Sequence, residues 1–165
     1  MMERTYSAWS SAIDQSCPRT PWSGPEVASA QDLASLNAKI LRLKPDGTVP
    51  SDNPFPGSLV YTYGHRNVQG ITWDPQGRLW SAEFGQNSFD EVNLIVAGSN
   101  YGWPANEGTD DTEGGRFTNP VVTWTTAEAS PSGIAYWRGA LYVAALRGRR
   151  PPLAAGSHPA RGLEH

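Results

Sequence analysis

Two stretches of this chain are written to one pattern: GITWDPQGRLWSAE (70–83) and GIAYWRGALYVAA (133–145). Each opens Gly-Ile, carries an aromatic two places after the Ile, turns at a Gly and closes on a Leu-aromatic pair followed by small residues. Aromatic and branched residues on either side of a glycine turn predict a β-hairpin. Two hairpins of one pattern about 63 residues apart, with strand-poor sequence between them, point to repeated sheets of the propeller type around a long functional insertion. Gly-aromatic hairpins also recur by coincidence in all-β proteins, and the sequence alone leaves that alternative open.

The bulk numbers agree with short strands. At 165 residues the chain suits one domain with a real core, and 17 Gly with 14 Pro are more than a helical protein tolerates. The formal charge is −3, and Lys39 and Lys44 are the lysines, so no long basic face is offered to a phosphate backbone and no nucleic-acid partner is expected. A single cysteine, Cys17, precludes an internal disulfide and a multi-thiolate metal site. The opening MMERTYSAWSSAID lacks a basic start and an apolar core, and no run of about 18 apolar residues occurs. As written, the chain predicts neither an export signal nor a membrane span.

Along the chain, Pro18, Pro21 and Pro25 make residues 1–34 an irregular N-terminal segment. The first strand is AKILRL (38–43), ended by the turn residues KPDG (44–47). Between the echoes, residues 83–115 are rich in Gly, Asn, Asp and Glu, with one obvious strand, EVNLIV. The aromatic pair of NYGWP predicts order there, and EGTDDTEGG (107–115) reads as mobile surface.

Two clusters could carry chemistry. In YGHRNVQG (63–70), Arg66 offers a planar fork of donors, and Asn67 and Gln69 offer donor-acceptor pairs, which suits a planar polyanion. Pairing of Arg66 with a nearby carboxylate and capping of a turn by Asn67 suits the same residues equally. His65 by itself reads as structural rather than as a base. In EFGQNSFDEVN (83–93), Glu83, Asp90, Glu91 and Asn93 supply hard oxygens, and Gly85 lets main-chain carbonyls turn to a common point, as calcium requires. The spacing is not that of an EF-hand, and solvated acidic loop residues explain it as well. No G-x-S-x-G, H-E-x-x-H or glycine-rich phosphate loop is present, which removes the commonest hydrolase and nucleotide readings.

SLNAKILRLKPDGTVPSDNPF (35–55), the whole of 63–104 and NPVVTWTTAEASPSGIAYWRGALYVAALRG (119–148) resemble the soluble quinoprotein sugar dehydrogenases, also called glucose/sorbosone or aldose sugar dehydrogenases. The order GHRN-x-QG, DE-x-N, NYGWP is specific to that family. The resemblance implies an all-β fold, a partial six-bladed β-propeller of two to three blades of four-stranded antiparallel sheet, over residues 35–148. It implies pyrroloquinoline quinone (PQQ) and calcium as cofactors, with oxidation of an aldose at its anomeric hydroxyl, a sugar as substrate and an unknown electron acceptor. Arg66 and Asn67 match residues that hold the cofactor, with Phe84 beside it and Arg147 facing it from a later blade. Gly85, Gln86 and Asp90 match the surroundings of the cofactor-associated calcium, and Glu91 with the Tyr101 main chain matches a second cation position. Relatives act in the periplasm or are secreted.

The chain also departs from the family. The proton-abstracting histidine of the family comes from upstream of SLNAKILRL, and no histidine stands there, so no catalytic base is identified. Phe84 replaces a polar or histidine contact, and Gln86 replaces a frequent proline. Residues 149–165 (RRPPLAAGSHPARGLEH) lack strand periodicity and read as a disordered non-family tail, whose LEH resembles the start of an expression tag, so His158 and His165 carry no role. A propeller fragment leaves open faces, so exposed Trp73, Trp80, Trp124 and Tyr142 would favour self-association. The alternative function is a non-catalytic β-propeller fragment acting as a calcium- or sugar-binding module.

Overall fold

The computed structural model describes residues 28–109 and 114–147, and the backbone of 153–154. The expectations for Cys17, the first 27 residues, His158 and His165 lie outside these residues, as does most of the 149–165 tail. The described residues build nine strands in three antiparallel sheets. β1 (Lys39–Leu41) pairs with β2 (Val60–Tyr63). β3 (Val68–Trp73), β4 (Leu79–Glu83), β5 (Phe89–Ile95) and β6 (Val122–Thr125) form a four-stranded meander, and β7 (Pro131–Trp137), β8 (Ala140–Ala145) and β9 (Leu153–Ala154) form the third sheet.

Both echoed stretches are hairpins, β3–β4 and β7–β8, and the likeness extends to a feature no pattern showed. Each first strand slips register at its start, between Val68 and Gly70 and between Pro131 and Gly133, so a bulge sits at the same place in both. The turns differ. Gly77 (φ 76°) closes the first, where Asp74 Oδ1 accepts the N–H groups of Gln76 and Arg78 at 3.0 Å. Arg138 and Gly139, both with positive φ, close the second as a two-residue turn whose twist matches the strands.

β4 is buried along its whole length because a sheet packs on each of its faces. On one face Leu79 and Ile95 meet Ile40, Val68 and Tyr101. On the other, Trp80 and Val92 meet Leu141 of the third sheet. Sheets stacked face to face along the chain are the successive blades of a propeller, and the described residues supply one complete blade between two incomplete ones. The expected all-β partial propeller is therefore what the chain builds.

Three expectations need correction. Trp80 is 2% exposed, since the alternation of β4 turns it between two sheets, whereas Trp73 and Tyr142 are exposed (45% and 40%) and Trp124 is half-buried. The interval between the hairpins is not strand-poor: β5 and β6 lie in it and complete the blade. Leu153–Ala154, within the stretch read as tail, pair with β8.

Candidate functional site

The GHRN segment is the link between the first two sheets, leaving β2 at Tyr63 and entering β3 at Val68. Gly64 has φ 75°, and a Cβ there would meet Asn100 Oδ1 at 2.1 Å, so only glycine lets the chain pass. NYGWP is laid against it: Tyr101 N–H donates to the Tyr63 carbonyl and Trp103 N–H to the Gly64 carbonyl, both at 2.9 Å. Motifs far apart in sequence thus form one wall.

His65 is enclosed rather than presented. It is 1% exposed, stacks on Tyr101 with ring centroids 4.6 Å apart, and is held at 2.9 Å by Thr62 Oγ1 on Nε2 and by Glu83 Oε2 on Nδ1. No sugar hydroxyl could reach it, which agrees with a structural role. Glu83 closes β4, and its Oε1 accepts the main-chain N–H groups of Arg66 and Asn67. Phe84 N–H donates to the Asn67 carbonyl at 2.9 Å. The Phe84 carbonyl accepts Arg66 Nη1 at 3.2 Å, and the Arg66 guanidinium lies 5.6 Å from the centre of the Phe84 ring. Phe84 therefore serves as a platform for the arginine. Burial pulls Arg66 below the usual guanidinium range, against the charges of Glu107, Glu83 and Asp90.

Beside this platform opens a small cleft of about 10 Å³, room for one water or one ion, lined by Arg66, Glu83, Gly85, Glu91, Tyr101 and Glu107 among others. Of the residues expected from the sequence, the cleft gathers Arg66, Gly85, Glu91 and Tyr101. Asn67, Phe84, Gln86, Asp90 and Arg147 are not among the residues that line it. Asn67 Oδ1 accepts from Gln69 Nε2 at 2.6 Å. Asp90 is fully buried, and its oxygens accept the N–H groups of Gly85 (2.9 Å) and Ser130 (2.7 Å), tying the β4–β5 loop to the start of β7. Arg147 is exposed at the end of β8 and donates to the Thr126 carbonyl at 3.4 Å.

The carboxylates set the electrostatics. Glu91 Oε1 accepts Gly108 N–H at 2.8 Å and Oε2 accepts Asn93 Nδ2 at 3.2 Å. Burial, then the charge of Glu83, pushes Glu91 up to about 8. Among the described residues no three His, Cys, Asp or Glu side chains are gathered as a metal cluster, so a cation here would lean on main-chain carbonyls as well as on Glu91.

Two residues carry more than the sequence reading assigned them. Glu83, read as one oxygen ligand among several, is the hub joining His65, Arg66, Asn67 and Asn93. The available signal was its position: Glu83 ends a strand, LWSAE, whose other residues are apolar or small, and a charge facing inward requires partners. Glu107, read as mobile surface, instead holds the β4–β5 loop, its oxygens accepting the N–H groups of Gln86 (2.9 Å), Asn87 and Ser88 (2.8 Å). That contact spans two loops and no local pattern encodes it. Residues 110–113 of the same stretch lie outside the described residues.

The family model for glucose/sorbosone dehydrogenases matches residues 23–150. The chain is 48% identical over 94 residues to quinoprotein glucose dehydrogenase B of Acinetobacter calcoaceticus, covering 55% of this chain and 20% of that protein. It is 32% identical over 144 residues to aldose sugar dehydrogenase YliI of Escherichia coli (strain K12), covering 72% of this chain and 38% of that one. Among solved structures, the PQQ-bound form of the aldose sugar dehydrogenase of Streptomyces coelicolor is similar with a TM-score of 0.71 and 50% identity, over 78% of this chain and 40% of that one. The chain thus spans between 20% and 40% of the length of these relatives.

Proposed function

The chain belongs to the glucose/sorbosone dehydrogenase family, and on that premise we propose that it forms one wall of a site where PQQ and calcium serve the oxidation of an aldose at its anomeric hydroxyl. The observation that carries this is the Arg66 guanidinium set over the Phe84 ring at the rim of a carboxylate-lined cleft.

The residues fit the group in their donor chemistry. Arg66 brings the fork that pairs with a carboxylate, and Asn67, with Oδ1 engaged by Gln69, has Nδ2 to donate. The cleft takes an ion and not a three-ring quinone, so PQQ would rest against its rim, beside Arg66, Asn67 and Phe84. When bound, PQQ supplies the two-electron oxidant that takes hydride from the sugar. The carbonyls of Gly85 and Gln86 would hold the associated calcium, with Asp90 fixing that loop through Gly85 N–H. Glu91 and the Tyr101 main chain would hold a second cation, and Arg147 would face the quinone from the third sheet. The base that takes the sugar proton is not assigned to a residue of this chain, because His65 is walled in.

The natural electron acceptor, a periplasmic or secreted setting and self-association through the exposed Trp137–Tyr142 pair complete this reading. Among the described residues no helix is long and apolar enough to cross a membrane.

The test adds PQQ and calcium to the purified chain and follows cofactor absorbance, then dye reduction with glucose. Uptake that Arg66→Ala weakens by about 1.5 to 3 kcal/mol is the expected result. Uptake without turnover would favour a cofactor site that is crippled for catalysis, and no uptake would end the cofactor reading and favour the calcium- or sugar-binding module.

A further inference from the structure

We propose that Glu83 is a positioning residue for the cofactor grip: it aims Arg66 and Asn67 and touches neither cofactor nor sugar itself. The inference rests on the PQQ reading above. It starts from an excess of hydrogen bonding that the fold does not require. The β3–β4 ladder is already closed by the Val68–Glu83 pair, and an apolar residue at position 83 could pack inward as Leu79 does. Instead the buried Glu83 carboxyl collects two consecutive main-chain N–H groups, those of Arg66 and Asn67, on one oxygen. Its other oxygen takes His65 Nδ1 at 2.9 Å and Asn93 Nδ2 at 3.4 Å.

Two consecutive amides converging on one point fix the peptide plane between them, and with it the directions in which both side chains leave the backbone. The segment from Arg66 to Asn67 lies between strands and has no ladder of its own to do this. His65, braced by Thr62 and stacked on Tyr101, keeps the carboxyl from swinging away. A charged acceptor makes each of these bonds stronger than an amide oxygen would.

The same hairpin supplies a control. At its turn Asp74 is equally buried and collects the N–H groups of Gln76 and Arg78 and the indole N–H of Trp80. Both carboxylates hold the hairpin together, and only Glu83 reaches the ligand pair.

The experiment titrates PQQ, with calcium present, into the 165-residue chain by tryptophan quenching, for the wild type, Glu83→Gln, Arg66→Ala, the double variant and Asp74→Asn. We expect E83Q to lower affinity about tenfold or more, D74N to stay within about twofold, and the double variant to fall well short of the product of the two single losses, because a loss exerted through Arg66 is not lost twice. Amide exchange at residues 66 and 67 should accelerate in E83Q and not in D74N. Should E83Q fail to fold, Glu83→Asp, a carboxylate one methylene short, is put through the same cycle. Wild-type affinity in E83Q while R66A loses it, or losses that multiply, would overturn the positioning role and leave the PQQ reading standing. No uptake by the wild-type chain would remove both.

Discussion

Glu83 and Glu91 face each other across the β4–β5 ladder, and one side-chain amide, that of Asn93, donates to both. Two carboxyls in register would ordinarily repel, and burial raises the cost. The two are nonetheless unequal. Glu83 has His65 and two main-chain N–H groups besides Asn93, whereas Glu91 has Gly108 N–H alone. Burial, and after it the charge of Glu83, therefore raise Glu91 above the usual carboxylate range.

A pH dependence follows. Glu91 titrates at about 8 in the folded chain against an ordinary value of 4.5, so the folded state binds this proton more tightly than the unfolded one. The contribution of Glu91 to stability is full below pH 4.5 and is lost as pH rises to about 8, by on the order of a few kcal/mol. Lys39, which burial pulls down to about 8, adds stability only as pH climbs from there towards 10.5, so it is silent in this window. Urea midpoints in chelator at pH 5 and pH 8 should differ in the wild type and converge in Glu91→Gln. Parallel slopes in the two proteins would show that Glu91 is not the titrating group.

Calcium should reverse that loss, since a cation beside Glu91 favours the ionised form. At pH 8, calcium at a hundred times its Kd should stabilise the wild type by about 2.7 kcal/mol. Glu91→Gln should gain much less. Thermal melts across a calcium titration check this, and equal gains in both proteins would move the cation elsewhere.

Much of this architecture was legible in the sequence, and the exceptions share a cause. The hairpins at 70–83 and 133–145 announce themselves because turn chemistry and alternation are local. β6 did not, since Val122–Thr125 is short and only half-buried, and it becomes a strand by pairing with β5. Trp80 was misjudged because its neighbour is Leu141 of another sheet, a contact no window contains. At the site, Arg66, Gly85, Glu91 and Tyr101 come together around one cleft. The carboxyl groups that organise it, Glu83 and Glu107, act on main-chain N–H groups that have no sequence signature.

Glu107 is the clearest case for a local test. Glu107→Ala would strip acceptors from the amides of Gln86, Asn87 and Ser88. Because Asn87 and Ser88 are exposed and water can replace part of the loss, the expected cost is about 1 kcal/mol. Hydrogen exchange should quicken at residues 86–88 and remain unchanged in β4. An unaltered exchange pattern would mean the loop holds its shape without the carboxyl group.

The two glycines that open the echoed hairpins offer the sharpest check on how the blades meet. Gly70 and Gly133 occupy the same place in the repeat, just after the bulge, and a pattern-based argument would treat them alike. Their surroundings are opposite. A Cβ on Gly70 would sit 2.7 Å from the Ile134 nitrogen and 2.8 Å from the Gly133 Cα, both backbone atoms that cannot swing aside. A Cβ on Gly133 meets nothing within 4 Å. Gly70→Ala should therefore force the second and third sheets apart and cost about 1 to 3 kcal/mol. Gly133→Ala should be neutral or stabilise by about 0.4 to 1 kcal/mol, by restricting the unfolded chain. Urea unfolding of the two variants decides the matter: changes of the same sign and size would mean that β3 and β7 do not approach as closely as this packing requires.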